Sequence, residues 1–251
     1  MAAGMRALDE LAGLIDLVLE VRDARVPAAT AVAGLHAKLR AKQRIIVLNR
    51  EDLADPPLTR RWLHALRAQH QAFATIGTRA ASLAALRAAV LRAPRRRATL
   101  HVAVVGAPNT GKSSVINALS RRKRALAQDR AGVTRHARWL SLGPGIELLD
   151  TPGVLPPKIV GVDAAWQLAA TGCLPETAYD PEEVVERLAA WVAAGGHARS
   201  AARFDVEEFA RARGMLRKGG EVERAGAART LLTEFRSGAL GRFTFETPRE
   251  D

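Results

Sequence analysis

An α/β fold, built on a mostly parallel sheet with helices on both faces and followed by a small all-α domain, is predicted by three observations. Short apolar runs that read as strands alternate with helix-spaced segments between residues 14 and 149. One of these runs, His101-Val-Ala-Val-Val105, passes straight into the glycine-rich Gly106-Ala-Pro-Asn-Thr-Gly-Lys-Ser113 and then into helix-like Val115–Leu119. From about residue 160 the chain becomes alanine-rich with helical spacing, and no later run is long enough to extend the sheet. The expected domains are therefore residues 1–160 and 161–251.

Taken in order, residues 5–13 have helical spacing, and Leu14–Val21 reads as a strand buried on both faces. It ends in Arg22-Asp-Ala-Arg-Val-Pro27. A helical segment around Leu35–Ala41 precedes a second strand, Arg44–Leu48, which runs into Asn49-Arg-Glu-Asp52. A helix through Trp62, Leu63 and Leu66 leads to a short strand at Ala72–Ile76, then Gly77-Thr78-Arg79, and Ser82–Leu91 is helical in pattern. Pro94-Arg-Arg-Arg97 makes a basic linker before the strand at His101. Gly145–Leu149 is a further strand, delivering Asp150-Thr-Pro-Gly153. In the second domain, Asp180 N-caps a helix with Pro181 at its first position, and Val184, Val185, Leu188, Trp191 and Val192 form its apolar stripe before Gly195-Gly196. Asp205 and Glu208 have capping-box spacing, and a last helix over Glu221–Arg236 buries Ala228, Leu231, Leu232 and Phe235.

The Gly106–Ser113 stretch is a P-loop. Its glycines let successive backbone N–H groups and the following helix N-terminus point at a phosphate chain. Asn109, Thr110, Gly111 and Ser114 belong to this cradle, Lys112 supplies the positive charge, and Ser113 presents a hydroxyl for a magnesium ion. Asn49-x-x-Asp52 follows a parallel strand, where open α/β sheets bind ligands. The Asp52 carboxylate can accept from both the ring N–H and the exocyclic amine of guanine, a pair that adenine does not offer. Asn49 can brace that loop, Arg50 and Glu51 complete it, and the backbone of Gly77 and Thr78 can cover the base. Taken alone, the same tetrapeptide could simply open a helix as an N-cap with an acidic first turn. Thr134 lies in a polar segment suited to ligating magnesium when a γ-phosphate is present, Asp150 suits the magnesium shell, and the Gly153 amide suits the γ-phosphate. Catalytic work then falls to Lys112, Thr134 and Gly153.

Composition narrows the partners. Thirty-eight Lys and Arg against 26 Asp and Glu give a net charge of +12 and a pI near 11.1, which points to a polyanion. The basic clusters at Arg95–Arg97 and Arg121–Arg124 could each contact a phosphate backbone or form a solvated face. Aromatic residues at 4% argue against single-strand stacking and for recognition of folded RNA. A single cysteine, Cys173, excludes an internal disulfide and a cysteine-based zinc cluster. The sequence shows neither an apolar run of 18 residues nor a basic-then-apolar leader, so the expectation is a soluble, cytoplasmic protein.

The order of the elements is unusual: Asn49–Asp52 and Gly77–Arg79 precede the P-loop, Thr134 and Asp150–Gly153. This is a circularly permuted GTPase arrangement. Together with Asp23-Ala-Arg-Val-Pro27, Asp150-Thr-Pro-Gly-Val154, Lys218-Gly-Gly-Glu221 and Gly241-Arg-Phe243, it resembles the ribosome-biogenesis GTPase A family over nearly the whole chain. The resemblance implies GTP and GDP as ligands, hydrolysis with magnesium, and potassium held at Asn109. It also implies a helical RNA-binding domain and the large ribosomal subunit with its rRNA as partners in late assembly, with no membrane and no DNA. Val154 stands where classical GTPases carry a water-orienting glutamine. Two other readings stay open: a permuted GTPase of the small subunit, which would be expected to carry an OB-fold or zinc module, and a GTP-gated RNA-binding module with negligible hydrolysis. The chain departs from the family at Ala131, at Arg50, which replaces a lysine, and at its start, where a Phe-Pro-Gly-His segment is absent. Met1 aligns with the methionine after that segment, so the expectation is that the coding start lies further upstream; His136 is the resident histidine near the switch residues.

Overall fold

The computed structural model describes residues 11–32, 39, 41–95, 97–120, 138–151, 163–195 and 202–249. The chain divides into two compact units, one formed by Met1–Lys158 with Thr244–Asp251 and the other by Ile159–Phe243.

The first unit holds a six-stranded sheet. Its strands are β1 (Leu17–Asp23), β2 (Gln43–Asn49), β3 (Gln71–Thr75), β4 (Leu100–Gly106), β5 (Arg138–Gly143) and β6 (Ile146–Asp150), in the order β3-β2-β1-β4-β6-β5. All neighbours pair in parallel except β5 with β6. Helices α1 (Pro56–Arg67), α2 (Ala84–Leu91) and α3 (Lys112–Ser120) lie in the crossovers from β2 to β3, from β3 to β4 and from β4 towards β6, as parallel pairing requires. Leu17, Leu19, Val21, Val102 and Val104 pack with Leu86, Val90, Val115 and Leu119 on one face. Val18, Ala103, Val105, Trp139 and Leu149 line another core cluster, and Ile46, Leu48, Ala54 and Trp62 a third.

The sheet starts later than the apolar run suggests. Leu14 is 42% exposed, and its N–H and that of Ile15 donate to the Leu11 carbonyl, so residues 11–14 close a turn before β1 begins at Leu17. Strand β1 also contains Glu20, which is fully buried among apolar residues. Its Oε1 accepts from Arg22 Nε at 2.7 Å and Val32 N at 3.0 Å, and its Oε2 lies 3.2 Å from Arg44 Nη1, so two arginines offset the buried charge. Strand β5 was not expected from the sequence; it forms by hairpin pairing onto β6 with a register shift between Ser141 and Gly143. The helical segment expected around Leu35–Ala41 and most of that expected over 5–13 lie outside the described residues.

The second unit is helical: α4 (Ala164–Ala170), α5 (Pro181–Ala194), α6 (Val206–Ala212) and α7 (Arg224–Ser237). Asp180 and Asp205 cap α5 and α6 as their spacing predicts, accepting from Glu182 N and Glu208 N at 2.9 Å. Helix α7 starts at Arg224 and not at Glu221, because Leu216 and Val222 form a β-bridge and Arg217 N donates to Glu221 O. Phe204, Phe235 and Phe243 form an aromatic cluster with centroid separations of 5.7–6.1 Å, joined by Trp191. Arg236 donates to the Ala169 and Ala170 carbonyls and to Tyr179 Oη, closing the end of α4.

One boundary differs from the expected 161–251. The second unit ends at Phe243 and Thr244–Asp251 belongs to the first, where Thr244, Phe245 and Glu246 bond to Ala24, Arg25, Ala28, Ala29, Asp55 and Trp62.

Candidate nucleotide-binding site

The parallel register aligns the C-terminal ends of five strands. Asp23 pairs with Asn49, Asn49 with Thr75, Val21 with Gly106, and Val104 with Asp150. Asn49, Gly106 and Asp150, and the described loops that follow their strands, are thereby gathered along one rim of the sheet, the rim where such folds place ligands.

Strand β4 ends at Gly106, where a Cβ would stand 2.3 Å from the Val21 carbonyl, so only glycine allows the two strands this approach. Asn109 adopts a left-handed conformation (φ 58°), as does Gly111 (φ 87°). A Cβ on Gly111 would lie 2.3 Å from Asn49 Nδ2. Lys112 is buried, and its ammonium donates to the carbonyls of Ala107 at 2.9 Å and Gly106 at 3.2 Å. Thr110 Oγ1 donates to Ala107 O at 3.0 Å. Ser113, in the first turn of α3, is exposed, and Ser114 lies against Gly77, whose Cβ would be 3.1 Å from that of Ser114.

Asn49 ties the loops together. Its Nδ2 donates to the Thr110 carbonyl at 2.8 Å, while Oδ1 accepts from Gly77 N at 2.8 Å and from Thr75 Oγ1 at 3.3 Å. One buried carboxamide thus connects the loop after β2, the loop after β3 and the P-loop. Thr78 is exposed beside it. Glu51 and Asp52 lie in a short 3₁₀ turn, Glu51–Leu53, both half-buried.

Asp23 and Arg25 carry a role that no sequence spacing announces. Asp23 is fully buried and accepts from Arg25 Nε and Nη2 at 2.9 and 2.7 Å and from Arg25 N at 3.0 Å. The same carboxylate accepts from Arg50 Nη1 at 3.3 Å, and Arg50 Nη2 donates to the Asn109 carbonyl at 2.6 Å. Burial by itself raises the Asp23 pKa, but the Arg25 guanidinium, with help from Arg50, outweighs it and holds the carboxyl below its ordinary value. Thr151, next to Asp150, is a second addition: its Oγ1 donates to Val104 O at 2.7 Å and fixes the end of β6 to β4. Thr134 and Gly153, like Arg121, Arg122, Arg124 and His136, lie outside the described residues.

As for cations, Ser113 and Asp150 offer a hydroxyl and a carboxylate, the hard oxygen donors that magnesium takes, so this donor set fits that ion. Asn109 is exposed in its left-handed turn, with a carboxamide oxygen of the kind potassium accepts.

Residues 101–186 match the family described as 50S ribosome-binding GTPase. A ribosome biogenesis GTPase A of Thermotoga maritima is 34% identical over 245 residues, spanning 98% of this chain and 91% of that protein. The chain belongs to the ribosome biogenesis GTPase A family. It is accordingly a GTPase. The Bacillus cereus protein of that family is 31% identical over 274 residues, covering 100% of this chain and 92% of its own length. Among solved structures, GNP-bound YlqF from T. maritima superposes with a TM-score of 0.75 at 33% identity, covering 98% of both chains. A GDP-bound structure of the TM YlqF protein has the same TM-score at 34% identity, covering 97% of this chain and 99% of that one. The permuted α/β architecture with its helical second unit is therefore that of the family. Among the described residues no helix is long and apolar enough to cross a membrane.

Proposed function

We propose that this GTPase acts in late assembly of the large ribosomal subunit, docking on rRNA when GTP is bound and leaving after hydrolysis. The full-length similarity to ribosome biogenesis GTPase A proteins carries this reading, and the net charge of +12 supports a polyanionic partner. The basic residues 95–97 and 121–124 are the proposed phosphate contacts, together with the helical unit. The cytoplasm is the corresponding compartment.

In the nucleotide site, Asp52 reads guanine, Asn49 and Arg50 hold the guanine loop against the P-loop, and Gly77 and Thr78 cover the base. Lys112 exchanges its present carbonyl partners for the outer phosphates, whose charge it neutralises. Ser113, Thr134 and Asp150 would hold magnesium, which supplies charge neutralisation across the β- and γ-phosphates. Asn109 would hold potassium, and the Gly153 amide would hydrogen-bond the γ-phosphate. Because residues 151–158 lead from Asp150 into the helical unit, the γ-phosphate state has a covalent path to the proposed RNA-binding unit.

Co-sedimentation with separated ribosomal subunits, in a non-hydrolysable GTP analogue and in GDP, tests the reading. Binding to the large subunit in the analogue and its loss in GDP are expected. Selective binding to the small subunit would replace the assignment. Nucleotide-gated binding without turnover on either particle would leave a module that does not use hydrolysis.

A further inference from the structure

Between β1 and the guanine loop, the first unit is completed by a segment from far along the chain. Thr244 is buried; its hydroxyl accepts from Asp55 N at 3.0 Å and donates to Ala24 O at 3.3 Å. Phe245 N donates to the Arg25 carbonyl at 2.9 Å. Glu246 accepts from the backbone N–H groups of Ala28 and Ala29 at 2.5 and 2.9 Å, and its own carbonyl accepts from Trp62 Nε1 at 2.8 Å. Three consecutive residues therefore bind two separate elements: the turn after β1, and α1, whose N-cap Asp55 lies three residues beyond Asp52.

The residues so held are those on which the site's internal bonds depend. Arg25 presents its backbone to Phe245 and its guanidinium to Asp23; Asp23 orients Arg50; and Arg50 reaches the P-loop carbonyl of Asn109. Ala24 N also donates to Asn49 O at 2.8 Å, so the strapped turn is fastened directly to the end of β2. Without the strap, α1 retains its helix hydrogen bonds and the turn its bond to the end of β2, but a segment that bonds to both is lost. Asp55 N, Ala28 N and Ala29 N would then need new partners.

We propose that Thr244–Glu246 is a positioning strap for the guanine end of the nucleotide site, so that residues outside the contiguous GTPase sequence set how well the site discriminates its base. The proposal rests on the assignment of Asp52 to guanine. Thr244, Glu246 and Trp62 are positioning residues that act through Arg25, Asp23 and the start of α1.

The test compares affinities for GDP and IDP, which lacks the exocyclic amine, in the full chain and in Thr244→Val, Glu246→Ala, Glu246→Gln, Thr247→Ala and Asp52→Asn, with the thermal midpoint of each. Thr244→Val keeps the shape of the side chain, so the proposal remains testable if Glu246→Ala does not fold. Thr244→Val and Glu246→Ala are expected to reduce the preference for GDP over IDP by about tenfold, the equivalent of one charge-assisted hydrogen bond. Glu246→Gln retains an acceptor oxygen and should fall between. Thr247, one residue on and exposed, should leave the preference unchanged. Strap variants with a lowered thermal midpoint but an intact preference would overturn the proposal, leaving the segment a purely structural role. An intact preference in Asp52→Asn would overturn the guanine assignment itself.

Discussion

The guanidinium of Arg50 lies 2.6 Å from the main-chain carbonyl of Asn109, so the loop proposed to read the base and the P-loop share a direct hydrogen bond. Arg50 does this from a left-handed backbone (φ 63°), with its other terminal nitrogen on Asp23. Replacing it with alanine removes a charge-assisted contact to each. A loss of roughly 1.5–3 kcal/mol in GDP affinity is expected, about tenfold or more, measured by titration with a fluorescent GDP analogue. Arg50→Lys keeps the charge but has no fork to span both partners, and should be intermediate. Wild-type affinity in Arg50→Ala would show that the contacts of Arg50 are not needed to hold the two loops together.

Asp52→Asn exchanges an acceptor pair for one donor and one acceptor. Guanine then leaves a donor unpaired at a cost of roughly 1–3 kcal/mol, whereas the second carbonyl of xanthine gains a partner. Preference should move from GTP to XTP in competition binding. Unchanged GTP preference would mean that the base lies elsewhere.

Acid should separate two carboxylates of opposite character. The Asp23 carboxyl is held below its ordinary value, so its contribution is complete above the unfolded carboxylate range near about pH 4 and is lost as pH falls through its lower folded value. Burial pushes Glu246 the other way, against the opposing hydrogen bonds from Ala28 and Ala29. The folded state therefore favours its protonated form, and its contribution grows as pH falls through that raised value. Thermal melts from pH 8 to 3 should show Glu246→Gln flattening the mildly acidic part of the profile and Asp23→Asn flattening the part below about pH 4. Identical profiles for the variants and the parent would exclude both linkages.

Potassium should accelerate hydrolysis more than sodium, through the carboxamide of Asn109. Asn109→Ala is expected to abolish the difference while leaving GDP binding largely intact, measured as phosphate release in matched chloride salts. Equal rates in the two salts for the parent protein would remove Asn109 from that role.

What the sequence made legible was local. The glycines of the P-loop announce themselves because at Gly106 and Gly111 a Cβ would meet Val21 O or Asn49 Nδ2 at 2.3 Å. The caps at Asp180 and Asp205 follow from short-range side-chain chemistry, and the parallel strands from their length and apolar content. Strand β5 escaped notice because its pairing with β6, and not an apolar run of its own, defines it. Helix α4 contains little besides small and apolar residues and lacks a side-chain cap. The pairing of Asp23 with Arg25 could not be read from a two-residue spacing at the end of a strand. The bond between Asp55 and Thr244 crosses 189 positions, which no periodicity encodes.

That last separation bears on the order in which the protein is made. The Lys158–Thr244 interval contains the entire helical unit, and at about 5–20 residues per second its translation takes on the order of 4–17 s. Throughout that interval the first unit exists with its P-loop strand, its guanine loop and its Asp23–Arg25 pair already synthesised, while the Asp55 N–H and the amides of Ala28 and Ala29 still await their partners. A nascent chain interrupted anywhere in the helical unit would carry every proposed nucleotide contact in its sequence and an unfinished fold around them.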